Sequence, residues 1–221
     1  MKLKITRFLS ALLLAGPSCS ATAPATPPRD QRVVLVDGFM EAGTAFKMLR
    51  KRLEKRGMEV YVPRLLHNDG RGGLENLALH LKQDIDAKFG PSQPISIVAF
   101  SMGGLVSRQY LQNLGGAARC ENLITISSPH HGTKAAWLYP TLGAAEMRPG
   151  SPFLAELRRT EDRLGKMPVT SYRTPMDLVI LPPTSSVWDR AKNLEFPVIL
   201  HPFMLNSNAV LTDVERRLVA Q

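Results

Sequence analysis

A chain of 221 residues, 44% hydrophobic and 21% charged, is long enough for one domain with a sizeable core. The 28 Lys and Arg outnumber the 19 Asp and Glu, giving a formal charge of +9. No aromatics are interleaved with the basic runs, as a single-strand binder requires, which excludes nucleic acid as the partner. Two cysteines, Cys19 and Cys120, are too few for a disulfide framework.

Residues 1–20 have the layout of an export signal. Lys2, Lys4 and Arg7 precede an apolar run from Phe8 to Ala15, and small residues follow from Gly16 to Ala21. An uncleaved N-terminal anchor is the competing reading. Cys19 also permits a lipoprotein signal, although Gly16-Pro17-Ser18 lacks the leucine expected three positions upstream. The expected location is therefore periplasmic or secreted, with lipid anchoring through Cys19 as a variant. Residues 21–31 read as a Pro/Ala/Thr linker and 32–221 as the domain. With Cys19 lipidated or removed, Cys120 is expected to be a buried free thiol.

Val33 to Val36 is a compact apolar run, as in a buried parallel strand. Thr44 to Arg56 reads as a helix that Gly57 ends. On it Phe46, Leu49 and Leu53 face inward and Lys47, Lys51 and Lys55 outward. That basic face is either a solvated surface or a contact for an anionic membrane. Met58 to Val62 reads as a strand, Leu74 to Phe89 as an amphipathic helix, Ile95 to Phe100 as a strand, Met102 to Asn113 as a helix and Leu123 to Ile126 as a strand. Thr133 to Lys166 is broken by prolines and glycines and reads as helical pieces. Val169 to Tyr172 and Pro197 to Leu200 are short candidate strands, and Asn208 to Val219 is a last helix. Strands alternating with helices predict an α/β fold: a single domain with a mostly parallel central sheet and helices on both faces. Ligands then bind at the carboxyl ends of the strands.

The most informative stretch is Ala99-Phe100-Ser101-Met102-Gly103-Gly104, where a strand turns into a helix through a serine flanked by small residues. This is the layout of a nucleophile elbow. The usual pattern is G-x-S-x-G, and Ala99 replaces its first glycine. A Gly-rich βα turn of a Rossmann-like unit is the bland alternative, but no G-x-G-x-x-G is present.

A serine hydroxyl needs a base within reach and a carboxylate to orient that base. In this architecture they follow in the order serine, acid, histidine, each after a strand. His130 and His131 come too early for an acid to intervene. His201 follows Phe196-Pro-Val-Ile-Leu200 and is the expected base. Asp177 follows the strand at Val169 and is the expected acid. Asp162 and Asp189 read as surface residues, and Glu195 precedes the strand expected before His201, at the wrong end of the sheet. Two N–H donors are needed for an oxyanion. Met102 supplies one by position. The other belongs to the loop after the first strand, at Phe39 or, less favourably, Met40. No metal or organic cofactor is needed.

The segments V-V-L-V-D-G-F, A-F-S-M-G-G-L-V-S-R, S-S-P-H-H-G-T and T-P-M-D, with the late His201, resemble the bacterial triacylglycerol lipase/esterase family of α/β-hydrolases. The resemblance runs from about Val33 to the C-terminus. It implies an α/β-hydrolase domain, Ser101 as nucleophile, Asp177 as acid, His201 as base, and Phe39 and Met102 as oxyanion donors. It implies a structural role for His130 and His131, and an ester or lipid as substrate. The family usually has His-Gly where this chain has Asp37-Gly38, and a carboxylate there is expected to disfavour a nearby oxyanion. The function so implied is that of an exported serine hydrolase cleaving carboxylic esters. An acyltransferase or amidase, and a non-enzymatic binding protein of the same fold, are the alternatives. Ala135 to Leu157 is either a lid or acyl-binding wall, or ordinary helical covering.

Overall fold

The computed structural model describes residues 31–41 and 44–219. The expected export signal, Cys19 and nearly all of the expected linker lie outside the described residues. Gln31, assigned to that linker, is buried and donates from Nε2 to the Leu218 carbonyl.

Six parallel strands form one sheet in the order β2-β1-β3-β4-β5-β6. They are β1 (Arg32–Val36), β2 (Glu59–Tyr61), β3 (Ile95–Phe100), β4 (Cys120–Ile126), β5 (Val169–Arg173) and β6 (Lys192–Glu195). The helices are α1 (Lys47–Lys55), α2 (Leu74–Phe89), α3 (Met102–Asn113), α4 (Leu142–Glu146), α5 (Pro152–Arg159) and α6 (Asn208–Val219). Successive strand residues point to opposite faces, so the core divides in two. Val34, Ile97 and Leu123 pack with α2, α3 and α5 on one face. Leu35, Val98 and Ile124 pack with α1 and α6 on the other. Continuous apolar strands are what a sheet covered on both sides requires.

Three expectations are corrected. Pro197 to Leu200 is not a strand. The ladder is carried by Lys192–Glu195, and after Phe196 donates to the Arg173 carbonyl the chain turns sharply, with the Val198 N–H on the Phe196 carbonyl. Glu195 therefore ends a strand at the carboxyl edge rather than the wrong end, but its carboxylate pairs with Arg173. The helix expected from Thr44 starts at Lys47. On α1 the lysines do face outward, while Arg52 and Arg56 turn to the buried carboxylate of Glu215 on α6. Cys120 is buried and free, and burial pushes its thiol up to about 12.

The start of α3 presses against the end of β1. A Cβ on Gly103 would lie 2.5 Å from the carbonyl oxygens of Val36 and Asp37. Backbone cannot retreat as a side chain can, so Gly103→Ala is expected to cost about 1–3 kcal/mol of stability. Urea unfolding of the two proteins measures the loss.

Candidate active site

Ser101 stands between β3 and α3 with φ 53° and ψ −125°, a conformation that side-chain-bearing residues rarely adopt. Such a residue costs on the order of 1–3 kcal/mol and persists only where its surroundings fix it. The Ser101 N–H donates to the Ile126 carbonyl of β4, and its own carbonyl accepts from Gly104. Every non-glycine residue of positive φ among the described ones (Met40, His67, Ser101, Ser127, Leu200) lies at the carboxyl edge of the sheet. Strain is thus concentrated where the sequence places the chemistry.

Asp177 and His201 meet across that edge. Their separation is 2.8 Å from His201 Nδ1 to Asp177 Oδ2, and both side chains are buried. An ionised carboxylate only accepts, so Nδ1 carries a proton, and in the neutral ring the lone pair is then on Nε2. Asp177 Oδ1 accepts from the N–H groups of Val179 and Ile180 at 2.9 and 2.8 Å. Burial alone would raise this carboxyl. The hydrogen bond and charge of His201, with the two backbone donors, outweigh it and hold the group below its ordinary value. The His201 ring lies 4.7 Å from that of Phe100, the residue before Ser101.

Ser101 opens into an apolar pocket of about 400 Å³, counting its open mouth. Ala135, Ala136, Ala144, Met147 and Ile180 form much of its wall. Phe39 also lines it, edge-to-face with Tyr139 at 5.0 Å. The Met40 N–H is committed to the Asn68 carbonyl, which disfavours Met40 as an oxyanion donor. Asp37 is buried and lines a different cleft, shared with Arg50 and Arg64. It is not among the residues that line the pocket at Ser101.

Positioning residues that the sequence did not reveal hold these loops. The Thr133 hydroxyl donates to the Val179 carbonyl and accepts from the Leu181 N–H, tying the Asp177 loop to the loop after β4. Thr174 donates to the Val198 carbonyl and so tethers the approach to His201. His130 is buried beneath these loops, 4.6 Å from the Trp188 ring, over which Arg108 stacks at 4.2 Å. Arg108 can only donate, so His130 accepts at Nδ1 and passes Nε2–H to Thr125, 3.0 Å away. Thr125 meets Ser171, which donates to the Ser186 carbonyl. Burial first, then the Arg108 guanidinium, push the His130 imidazole well below its ordinary value. The S-P-H-H-G-T segment is thus a brace under the site. Asp162 and Asp189 are exposed, and among the described residues no group of His, Cys, Asp and Glu is arranged to hold a metal ion.

Residues 32–161, more than half of the chain, match the model of the palmitoyl protein thioesterase family. The chain belongs to that family. Membership makes it an ester-cleaving hydrolase and narrows the resemblance to lipases and esterases read from the sequence. The match includes Phe39, Ser101 and Met102 and stops before Asp177 and His201, so those two rest on geometry. No curated protein matches the chain. Among solved structures, a Bacillus licheniformis lipase in its mature form is similar at 19% identity and TM-score 0.72, over 92% of this chain and 96% of that one. An esterase from Thermogutta terrifontis is similar at 16% identity and TM-score 0.59, over 86% and 90%. At these identities the likeness establishes the α/β-hydrolase fold of this thioesterase-family protein and nothing finer.

The depressed carboxyl of Asp177 has a consequence for stability. Its contribution is complete above the unfolded-state value, about 4, and is lost as pH falls through the lower folded value. Asp177→Asn is therefore expected to flatten the acid limb of stability. Urea midpoints measured from about pH 2 to pH 6 test this.

Proposed function

We propose that this chain is an exported serine hydrolase that cleaves carboxylic esters, thioesters included, through an acyl-enzyme. The observation that carries the reading is the buried Asp177–His201 pair, held beside Phe100 where Ser101 opens into an apolar pocket. Ser101 Oγ attacks the acyl carbon while His201 Nε2 takes its proton. Asp177 keeps the imidazole in the required tautomer and balances the charge it gains. The oxyanion rests on the N–H groups of Phe39 and Met102, the latter at the start of α3, where the helix dipole adds to it. His201 then protonates the leaving alcohol or thiol. Water enters, His201 takes its proton, and the acid leaves with Ser101 restored.

The apolar pocket supports an acyl chain as the part of the substrate that is recognised. The thioester reading draws on the family. Export is supported by the charge and apolar pattern of residues 1–20 and by a similar structure described as an extracellular hydrolase from a Paenibacillus species.

Hydrolysis of p-nitrophenyl butyrate and palmitate, and of a palmitoyl thioester, is expected from the wild type. Ser101→Ala is expected to lower kcat by at least about 10⁴-fold on each. Equal turnover by the two proteins would refute the mechanism.

A further inference from the structure

Asp37 is a buried charge that the hydrolytic cycle does not use. It stands where the similar lipases and esterases usually have histidine, and it is only 4% exposed. It lies one residue beyond β1, in the register of Val33 and Leu35, which face α1 and α6. There it lines a cleft of about 1060 Å³, counting the open mouth. Among the described residues, the other ionisable groups of the lining are Glu41, Arg50, Arg64 and His67. Arg50 belongs to α1, where it pairs with Glu54. The two walls of the cleft are tied through Asn68. Its carbonyl accepts from the Met40 N–H, and its side-chain amide donates to the Glu41 carbonyl.

The loop after β1 is shared by the cleft and the apolar pocket. Phe39 lines the pocket, while Asp37, Met40 and Glu41 line the cleft. Gly38 lies against the nucleophile, since a Cβ there would be 3.1 Å from Ser101 Cβ. The two cavities fall on different sides of the sheet. Ala136 and Met147 of the pocket belong to the core that packs with α2, α3 and α5. Val62 of the cleft packs against the core of α1 and α6. His201 stands on that second side, with Phe100 beside its ring and Met204 and Leu205 of its own turn in the same core. A leaving oxygen or sulfur must come within reach of His201, which protonates it. The leaving group therefore departs on the side where the cleft opens, and the acyl chain lies on the other.

We propose that this cleft is the subsite for the leaving group, and that it selects a neutral alcohol or thiol bearing further hydroxyl groups. The proposal rests on the hydrolase reading of Ser101, Asp177 and His201. The chemistry of the lining makes the selection. Carboxylates and guanidiniums are both present, so a leaving group of either charge meets a like charge in the same cleft. A hydroxyl donates to a carboxylate and accepts from a guanidinium, and so suits both. A second hydrocarbon chain in the cleft would strip water from Asp37 and Glu41 and return no hydrogen bond. Partial esters of polyols are therefore favoured over esters in which every hydroxyl is acylated. Asp37 is a specificity-determining residue on this account.

The test compares 2,3-dihydroxypropyl butyrate with 2,3-dimethoxypropyl butyrate. They share the acyl group and have leaving groups of similar electron withdrawal, but the ethers donate no hydrogen bond. A site that hydrogen-bonds a hydroxyl rejects the analogue without it more strongly than a pocket rejects a missing methylene. The wild type is expected to favour the diol at least tenfold in kcat/KM. Asp37→Asn is expected to lower that preference threefold or more. Should Asp37→Asn fail to fold, Glu41→Gln with Arg64→Met reads the same ratio at less buried positions, with the same expectation. Equal kcat/KM on the two esters overturns the proposal. So does a preference that survives in the variants while turnover of both esters falls in parallel, the mark of a purely structural Asp37. p-Nitrophenyl butyrate, whose leaving group carries no further hydroxyl, separates the two levels. Turnover of it without selectivity between the other two refutes the subsite alone. No turnover of any of the three by the folded protein refutes the hydrolase reading, and the subsite with it.

Discussion

The close approach of the start of α3 to the end of β1 is the constraint on which the rest of the structure depends. It forces the chain to leave β3 through Ser101 in a left-handed conformation, with Gly103 against two backbone carbonyls. Gly104, one residue on, leaves the space occupied by the Ser128 side chain of the next strand's loop. Three neighbouring strands therefore meet at one serine. Their hydrogen bonds hold a backbone angle that an isolated peptide would abandon, and the strained residue is presented at the edge where the remaining groups converge.

Convergence of the other groups is a matter of loops held by hydroxyls. Thr133 fixes the Asp177 loop from one side and Thr174 holds the segment before His201 from the other. Beneath them the line from Arg108 through His130 and Thr125 to Ser171 is buried and satisfied at each step. A buried polar chain of this kind is costly if any member is left without a partner. It therefore favours one arrangement of the loops over others of similar packing. Side chains carried on loops, Asp177 and His201 among them, gain in this way the rigidity that strands would have supplied.

Much of this was legible in the chain itself. The apolar run from Ile95 and the small residues around Ser101 defined β3 and α3 to the residue, because the strand passes into the helix there through a single residue. The two-sided burial of the sheet was visible in the unbroken apolar run Val33 to Val36. What misled was the run Val198-Ile199-Leu200. It has the composition of a strand, yet Pro197 and Pro202 withhold N–H groups around it and Ile199 is left exposed. The true last strand, Lys192–Glu195, is polar because it lies at the sheet edge with a single neighbour. The structural role of His130 was implied by the resemblance, but its partners Arg108 and Trp188 could not be read. The members of this brace lie far apart in sequence, and each alone has the look of a surface or packing residue. The pairing of Asp177 with His201 was anticipated from their order along the chain, and the structure supplies the 2.8 Å contact that order alone cannot.

The central claim, that Ser101 forms a covalent intermediate with the aid of the Asp177–His201 pair, is tested most directly by active-site labelling. The protein would be incubated with a fluorophosphonate and the modified peptides mapped by mass spectrometry. The account predicts one adduct, on Ser101, formed far more slowly when His201 is replaced by alanine. An unlabelled Ser101 in a protein that still turns over esters, or labelling undiminished in His201→Ala, would contradict it.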